Sequence, residues 1–203
     1  MNRKLIATLS LFLFTFPLTA ATAAATGPQQ TVEHMVNTAI DILTDEGLDD
    51  RARQDRVRSL VLESVDFRSM SQRILAQNWK QASPEERDRF VQLFIDLLEA
   101  TYIGRIDEYS NEKVEFARER VKDDRAIVDT FFVTGDAKIP IDYKLLNSGG
   151  KWMIFDVSIE EVSLVSNFRE TYSEIIRKDG LQGLLEQMET KIEELRTEGS
   201  AEK

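Results

Sequence analysis

A run of strand-like segments separated only by short turns constrains the fold most. The segments lie at about residues 112–118, 125–134, 139–146 and 151–160. The connections between them are a few residues long and rich in Asp, Asn, Ser and Gly, which favour tight turns. Connections this short cannot hold the crossover that parallel strands need, so successive strands are expected to pair antiparallel in a four-stranded meander.

Charged residues predict which face of each strand is buried. Asp129 in the second strand and Asp142 in the third are expected to face water, which turns the alternate residues toward the core. These inward residues are Val128, Thr130, Phe132, Ile141, Tyr143 and Leu145. The fourth segment, 151–160, is apolar on both faces, and this pattern predicts that other elements cover it on both sides.

Amphipathic helices are predicted on both sides of the strands, which makes the fold class α+β. The apolar spacing is helical at about 31–43, 51–62 and 67–75 before the sheet, and in two stretches after it. Ser83-Pro84-Glu85-Glu86 combines an N-cap, a proline at the first helical position and a capping-box Glu, so a long helix is expected from Pro84 to about Tyr109. Gly180 is expected to end one late helix before another begins at Leu181.

The first residues have the features of a secretory signal peptide. A basic Asn2-Arg3-Lys4 precedes an apolar run from Leu5 to Leu18, and small residues then allow cleavage after Ala23 or Ala25. The apolar run is too short for a membrane span. We therefore expect a signal peptide at 1–25, a single exported domain at 26–196 and a disordered tail at 197–203.

The charge of the chain limits its partners. The formal net charge is −10, and it becomes −12 when Arg3 and Lys4 leave with the signal peptide. An acidic surface disfavours nucleic acid and anionic bilayers and favours basic partners. The chain contains no cysteine, so its stability must come from the hydrophobic core and not from disulfides.

Few residues have the pattern of a catalytic or metal site. His34 lies on the charged side of an early helix, and no nucleophile–base arrangement can be assembled around it. The acidic pairs Asp49-Asp50 and Asp123-Asp124 lack calcium-loop spacing. Asp156, among apolar strand residues, is either a buried hydrogen-bond partner or a general base. We expect no enzyme activity, no cofactor and no metal.

Several segments between about Val32 and Met188 carry a resemblance to a known family. They are Phe67–Arg73 with Asn78-Trp79, Ala82–Phe90, Val114-Glu115-Phe116, Ile139–Tyr143, Trp152 with Phe155-Asp156-Val157, and Val162–Leu181. In these segments the chain resembles the MlaC family, the periplasmic phospholipid-binding proteins of the Mla (maintenance of lipid asymmetry) system, also known as toluene-tolerance auxiliary transport proteins. The chain departs from the family at Glu160-Glu161, where the family usually has Glu-Gly; a glycine there would permit a bend.

The resemblance implies a sheet related to cystatin-like and nuclear-transport-factor-like folds, with a deep apolar pocket between sheet and helices. It implies a monomeric periplasmic carrier that binds a phospholipid by its acyl chains. Its implied partners are an outer-membrane lipoprotein–porin complex and an inner-membrane ABC transporter complex with an MCE-domain protein. Arg177-Lys178 either complements the helix dipole or contacts a partner or headgroup.

Strand parity and helix face, combined with the pocket location that the resemblance implies, predict the ligand-binding residues. They are Phe94, Leu98, Tyr102, Val128, Phe132, Ile141, Tyr143, Val162, Leu164 and Tyr172. Two other functions stay open. One is a small hydrolase or isomerase on the same scaffold, which requires a polar pocket and an acid–base pair. The other is a periplasmic chaperone or adaptor that binds apolar peptide.

Overall fold

The sheet is an antiparallel meander with helices before and after it. The computed structural model describes residues 27–102, 112–135 and 137–201. The helices before the sheet are α1 Pro28–Thr44, α2 Asp50–Ser64, α3 Phe67–Leu75, α4 Gln77–Gln81 and α5 Pro84–Tyr102. The strands are β1 Lys113–Lys122, β2 Arg125–Thr134, β3 Ala137–Ser148, β4 Lys151–Ile159 and β5 Val162–Ser163, and α6 Leu164–Ala201 follows.

The strand order β1-β2-β3-β4-β5, with every pair antiparallel, confirms the predicted meander and the α+β class. The strand count was wrong: the sheet has five strands, because Val162 and Ser163 pair back onto the end of β4. A strand of two residues is too short to show the alternation by which a sequence reveals strands. Strand β5 also links β4 to α6, which begins at Leu164, the residue after Ser163.

One face of the sheet, which we call the inner face, packs against α1. Val32 and Val36 of α1 join Val128, Leu145 and Ile154 in one hydrophobic cluster. Side chains that lie opposite each other in an antiparallel pair share a face, and Val128 is paired with Tyr143. The predicted inward orientation of Val128, Thr130, Tyr143 and Leu145 is thereby confirmed, since Thr130 is buried on the same face.

A β-bulge at Phe155 divides β4 between two cores. Leu145 pairs with Ile154 and Lys144 pairs with Asp156, which leaves Phe155 as the extra residue. Ile154 consequently faces α1, whereas Asp156 faces the opposite side, where α6 begins. Both residues are buried, so the prediction that β4 is covered on both sides is confirmed.

The remaining helices form a separate hydrophobic cluster, the helical core, built from α3, α4, α5 and α6. The predicted capping box starts α5: the Ser83 N–H donates to Glu86 Oε2 at 2.8 Å and the Glu86 N–H donates to Ser83 Oγ at 3.1 Å. The helix is described to Tyr102, and the rest of its predicted extent, to Tyr109, lies outside the described residues. The sequence did not predict α4, whose five residues are too few for helical periodicity.

Helix α6 is bent at Gly180, where φ is 73° and ψ is 174°. This conformation is almost restricted to glycine, and it divides α6 into a first arm before Gly180 and a second arm after it. The predicted end of a helix at Gly180 and the restart at Leu181 correspond to this bend. The second arm runs to Ala201, so it continues beyond Thr197, where the sequence predicts a disordered tail.

The carboxylate of Asp156 anchors the first turn of α6 to the sheet. Asp156 Oδ1 accepts a hydrogen bond from the Val165 N–H at 3.1 Å. Its Oδ2 accepts from Ser163 Oγ at 2.7 Å and from Lys144 Nζ at 2.8 Å. Ser163 in turn accepts from the Ser166 N–H at 3.1 Å, as an N-cap does. The structure therefore supports the first interpretation of Asp156, a buried hydrogen-bond partner.

We expect Asp156→Asn to lower the free energy of unfolding by about 2–3 kcal/mol, because the amide leaves at least one buried donor without an acceptor. The measurement is urea denaturation followed by circular dichroism. Asp142→Asn is the matched control on the neighbouring strand. Burial and the nearby charge of Asp129 raise the pKa of Asp142, so its neutralisation should cost no stability. Equal losses in the two variants would contradict the anchoring role.

The turn between β4 and β5 places two glutamates in the left-handed region. Ile159 pairs with Val162, so Glu160 and Glu161 form a two-residue loop with φ angles of 49° and 69°. Positive φ at both loop residues is typical of a type I′ turn, which favours glycine. Glu161, where the resemblance predicts glycine, is therefore a side chain held in a strained backbone conformation.

We expect Glu161→Gly to raise the free energy of unfolding by about 0.5–1 kcal/mol. Glycine removes the strain of the left-handed conformation, and the larger backbone entropy that glycine loses on folding offsets part of this stabilisation. Glu161→Ala is the control, since it removes the carboxylate but keeps the Cβ. Thermal unfolding of both variants separates the two effects. An equal gain with alanine would show that charge and not backbone strain is responsible.

Candidate ligand-binding cleft

A large cleft lies between the C-terminal half of α5 and the two arms of α6. Its volume is about 960 Å³, which is at the upper end of the range for ligand sites in proteins. The apolar and aromatic residues that line it are Leu97, Tyr102, Phe168, Tyr172, Ile175, Leu184, Met188 and Leu195. Because the bend at Gly180 turns the second arm relative to the first, both arms contribute to the walls.

Edge-on and tilted aromatic rings support the wall formed by the first arm. The centre of the Phe168 ring lies 5.1 Å from the centre of the Phe94 ring and 5.2 Å from the centre of the Tyr172 ring. The Tyr172 ring meets Phe90 edge-on at 5.9 Å. Edge-to-face contacts of this kind add to the energy of burial and restrict ring orientation. The cleft is therefore bounded on this side by a wall with defined geometry.

Tyr172 carries a buried hydroxyl behind this wall. Tyr172 is 5% exposed, and its oxygen has no hydrogen-bond partner among the described residues. Burial raises the pKa of Tyr172 well above its ordinary value. The phenol therefore stays protonated at neutral pH, as a neutral donor rather than a base.

The rim of the cleft is charged and exposed. It contains Asp179, Glu186, Lys191 and Glu194. Lys191 Nζ lies 3.1 Å from Glu194 Oε2, and Gln187 Nε2 donates to Asp179 Oδ2 at 3.0 Å. An apolar wall below a charged, solvated rim suits an amphipathic ligand whose apolar part lies inside and whose polar part stays in water.

The structure brings only two of the predicted ligand-binding residues, Tyr102 and Tyr172, to this cleft. Phe94, Leu98 and Leu164 belong to the helical core. Val128 and Tyr143 belong to the cluster beneath α1, and Phe132 and Ile141 lie half-buried on the same face of the sheet. Val162 is 61% exposed on β5. For these eight residues, contact with a ligand stays a prediction.

The second arm of α6 supplies much of the cleft and was missing from the predicted site. Leu184, Met188 and Leu195 recur at spacings of four and seven, which the sequence shows as an ordinary apolar stripe. Such a stripe does not reveal whether it meets another helix or a cavity. The angle between the two arms of α6 decides it, because this angle leaves a cleft beside the stripe.

The other candidate sites offer no competing centre. His34 is exposed, with its Nδ1 3.5 Å from Thr38 Oγ1. Within the described ranges, no three His, Asp or Glu side chains are grouped closely enough to hold a metal ion. In the same part of the chain, no helix is both long and apolar enough to cross a membrane.

Comparisons with known proteins agree with this architecture. The chain has the fold of a phospholipid-binding protein from Ralstonia solanacearum, solved in complex with a phospholipid, with a TM-score of 0.78 and 21% identity. The match covers 84% of this chain and 99% of the other.

Two curated relatives are similar in sequence. One is the intermembrane phospholipid transport system binding protein MlaC of Haemophilus influenzae, 26% identical over 139 residues, or 66% of this chain and 65% of the relative. The other is the toluene tolerance protein ttg2D of Pseudomonas putida, 25% identical over 129 residues, or 62% of this chain and 60% of the relative. The matched stretches thus span slightly less than two thirds of each relative.

The family model described as MlaC protein matches residues 33–190. This range includes most of α1, the complete sheet and the lining of the cleft except Lys191, Glu194 and Leu195. Most of the chain therefore follows one family pattern, and the chain belongs to the MlaC family.

Proposed function

We propose that this protein is a periplasmic carrier that binds a phospholipid by its acyl chains and moves it between membranes. The observation that carries the proposal is the cleft of about 960 Å³, with apolar walls and a charged rim. The relatives named as a phospholipid transport binding protein and the lipid-bound protein of the same fold support this choice of ligand. The acyl chains would lie between α5 and α6, and the headgroup would stay at the rim.

The energetics of acyl-chain burial determine how such a carrier must work. Each buried methylene contributes about 0.8 kcal/mol, so two chains with about 30 methylenes have a transfer free energy on the order of 20 kcal/mol as an upper bound. Spontaneous release into water would then be negligibly slow. The ligand must pass to a partner that offers another apolar path, and no chemical step is required of the carrier itself.

We infer from family membership that the partners are an outer-membrane lipoprotein–porin complex and an inner-membrane ABC transporter complex with an MCE-domain protein. The N-terminal signal peptide predicted from the sequence would deliver the chain to the periplasm, between the two membranes. In this scheme the transporter supplies the energy.

Native mass spectrometry of the purified mature protein, followed by organic extraction, tests the ligand. We expect a stoichiometric mass increment that extracts as phospholipid. A bare protein mass that persists after incubation with phospholipid vesicles would contradict the proposal, and retention of apolar peptide instead would favour a chaperone or adaptor.

A pair of neighbouring isoleucines tests the location of the site. Ile175 and Ile176 are both half-buried against the helical core, but Ile175 lines the cleft and Ile176 lines a separate cavity of about 460 Å³ near Gly180. We expect Ile175→Glu to lower lipid occupancy by more than about tenfold, because it places a carboxylate among acyl chains. Ile176→Glu is the matched control and should retain the lipid.

The readout is the lipid-to-protein ratio of each folded variant in native mass spectra. Equal loss in both variants would contradict the assignment of the cleft. Val162→Glu extends the test, since Val162 is a predicted ligand-binding residue that lies on β5, away from the cleft. Loss of lipid from this variant would indicate that the acyl chains reach the β4–β5 turn.

A further inference from the structure

The face of the sheet opposite α1, which we call the outer face, has a charge of opposite sign to the chain. Its register places exposed cations on all of the long strands. They are Lys113, Arg118, Arg120, Lys122, Arg125, Lys138 and Lys151, against the acidic residues Glu115, Asp129 and Asp142. Lys144 and Asp156 lie on the same side and pair with each other. In the whole chain, by contrast, 36 acidic residues outnumber 26 basic ones.

Cross-strand ion pairs confirm that these side chains share a face. Arg120 Nη2 lies 2.6 Å from Asp129 Oδ1, and Lys138 Nζ lies 2.7 Å from Glu115 Oε2. Lys113, Arg118 and Lys122 of β1 make no ion pair with any residue that the structure describes, and all three are exposed. The outer face therefore carries uncompensated positive charge, concentrated on the edge strand β1.

The middle of the outer face is less basic and partly apolar. Asp129 and Asp142 lie opposite each other on the two central strands, and burial together with the charge of Asp129 raises the pKa of Asp142. Ile127 and Phe131 are half-buried beside them, and Lys138 Nζ lies 4.4 Å from the centre of the Phe131 ring. A partly apolar centre inside a charged rim is the usual anatomy of a protein–protein interface.

The ion pairs of these cations are with residues of strands and turns, and Lys151 donates a hydrogen bond to the Glu63 carbonyl of α2. Helix α1 contacts β1, β2 and β4 from the inner face, whereas α3 and α6 contact the sheet at β4 and β5. We propose that the outer face is a docking surface for a protein whose contact surface is acidic. The proposal concerns binding of a partner and is independent of the ligand in the cleft.

Protection of a sheet edge is the simplest alternative, because lysines on an edge strand discourage aggregation. That role requires charges on β1 only. Here Arg125, Lys138 and Lys151 extend the basic rim across β2, β3 and β4. The basic rim thus follows β1 and both ends of the neighbouring strands, whereas α3 and α6 lie against the side at β4 and β5. A rim of this extent suits recognition of a complementary surface.

An anionic bilayer is the other candidate occupant. A flat layer of anionic headgroups would meet Asp129 and Asp142 at the centre of the outer face, and the remaining surface of the chain is strongly acidic. A protein can place its own carboxylates at the rim and a donor or cation at the centre. The charge pattern therefore favours an acidic protein over a membrane.

The test begins with photo-crosslinking in native host cells, with p-benzoylphenylalanine in place of Arg118. The crosslinked peptide is identified by mass spectrometry, and the captured partner is then purified. Association with the intact mature protein is measured at several salt concentrations, because steering between opposite charges weakens as ionic strength rises.

Two double variants with the same change in net charge isolate the outer face. Lys113→Glu with Lys122→Glu reverses unpaired cations at the two ends of β1. Arg177→Glu with Lys178→Glu reverses exposed cations on the first arm of α6, which the sequence offered as an alternative contact. We expect the β1 variant to associate about tenfold more slowly and the α6 variant to match the wild type.

The proposal is supported if the crosslinked peptide of the partner is rich in Asp and Glu. It is also supported if a partner with those residues changed to Lys binds the β1 variant as the unchanged partner binds the wild type. A crosslinked surface without acidic residues, or equal association of both variants, would overturn the proposal. It would also be overturned if the protein bound vesicles of phosphatidylglycerol and phosphatidylcholine and the β1 variant abolished that binding. Native mass spectra of both variants report lipid occupancy separately, so failure of docking and failure of lipid binding are distinguishable.

Discussion

The buried carboxylate of Asp156 joins α6 to the sheet, at the strand β4 that lies between the two hydrophobic clusters. The cluster beneath α1 contains Ile154, on one side of the Phe155 bulge. Asp156, on the other side, receives hydrogen bonds from Lys144, Ser163 and the backbone of Val165. A carboxylate at the N-terminus of a helix also interacts favourably with the helix dipole. This attachment fixes where α6 begins, and the packing of both arms in the helical core then places the cleft between α6 and α5.

The bend at Gly180 gives α6 two roles that a straight helix could not combine. The first arm buries Val165 and Tyr172 in the helical core, and the second arm buries Leu184, Leu185 and Met188 in the same core. The change of direction between the arms leaves a cleft that neither arm fills. Part of the apolar surface that would otherwise pack against protein is therefore available to a ligand, and the volume of the cleft depends on one glycine conformation.

The surfaces of the molecule are divided by chemistry. The cleft lies among α5 and α6, with an exposed rim that holds Asp179, Glu186 and Glu194 against a single Lys191. The outer face of the sheet presents cations on each of its long strands. The net charge of −10 is the sum over the whole chain, so it does not reveal that one face of the sheet is basic while the rim of the cleft is acidic. In our proposals the cleft holds the ligand and the outer face selects a protein partner, so the two functions can be altered separately.

The sequence by itself determined the elements whose signals are local. Alternation around Asp129 predicted the buried face of β2, the Ser83–Glu86 capping box predicted the start of α5, and Gly180 predicted an interruption of the last helix. The tertiary structure alone decided how these elements meet. The pairing of Val162 with Ile159 created β5, the bulge at Phe155 turned Asp156 toward α6, and the angle between the arms of α6 made a wall from Leu184 and Met188. Each of these three features depends on contacts that a local sequence pattern does not show. For the wall of the cleft in particular, an apolar stripe has the same spacing whether it covers a core or a cavity.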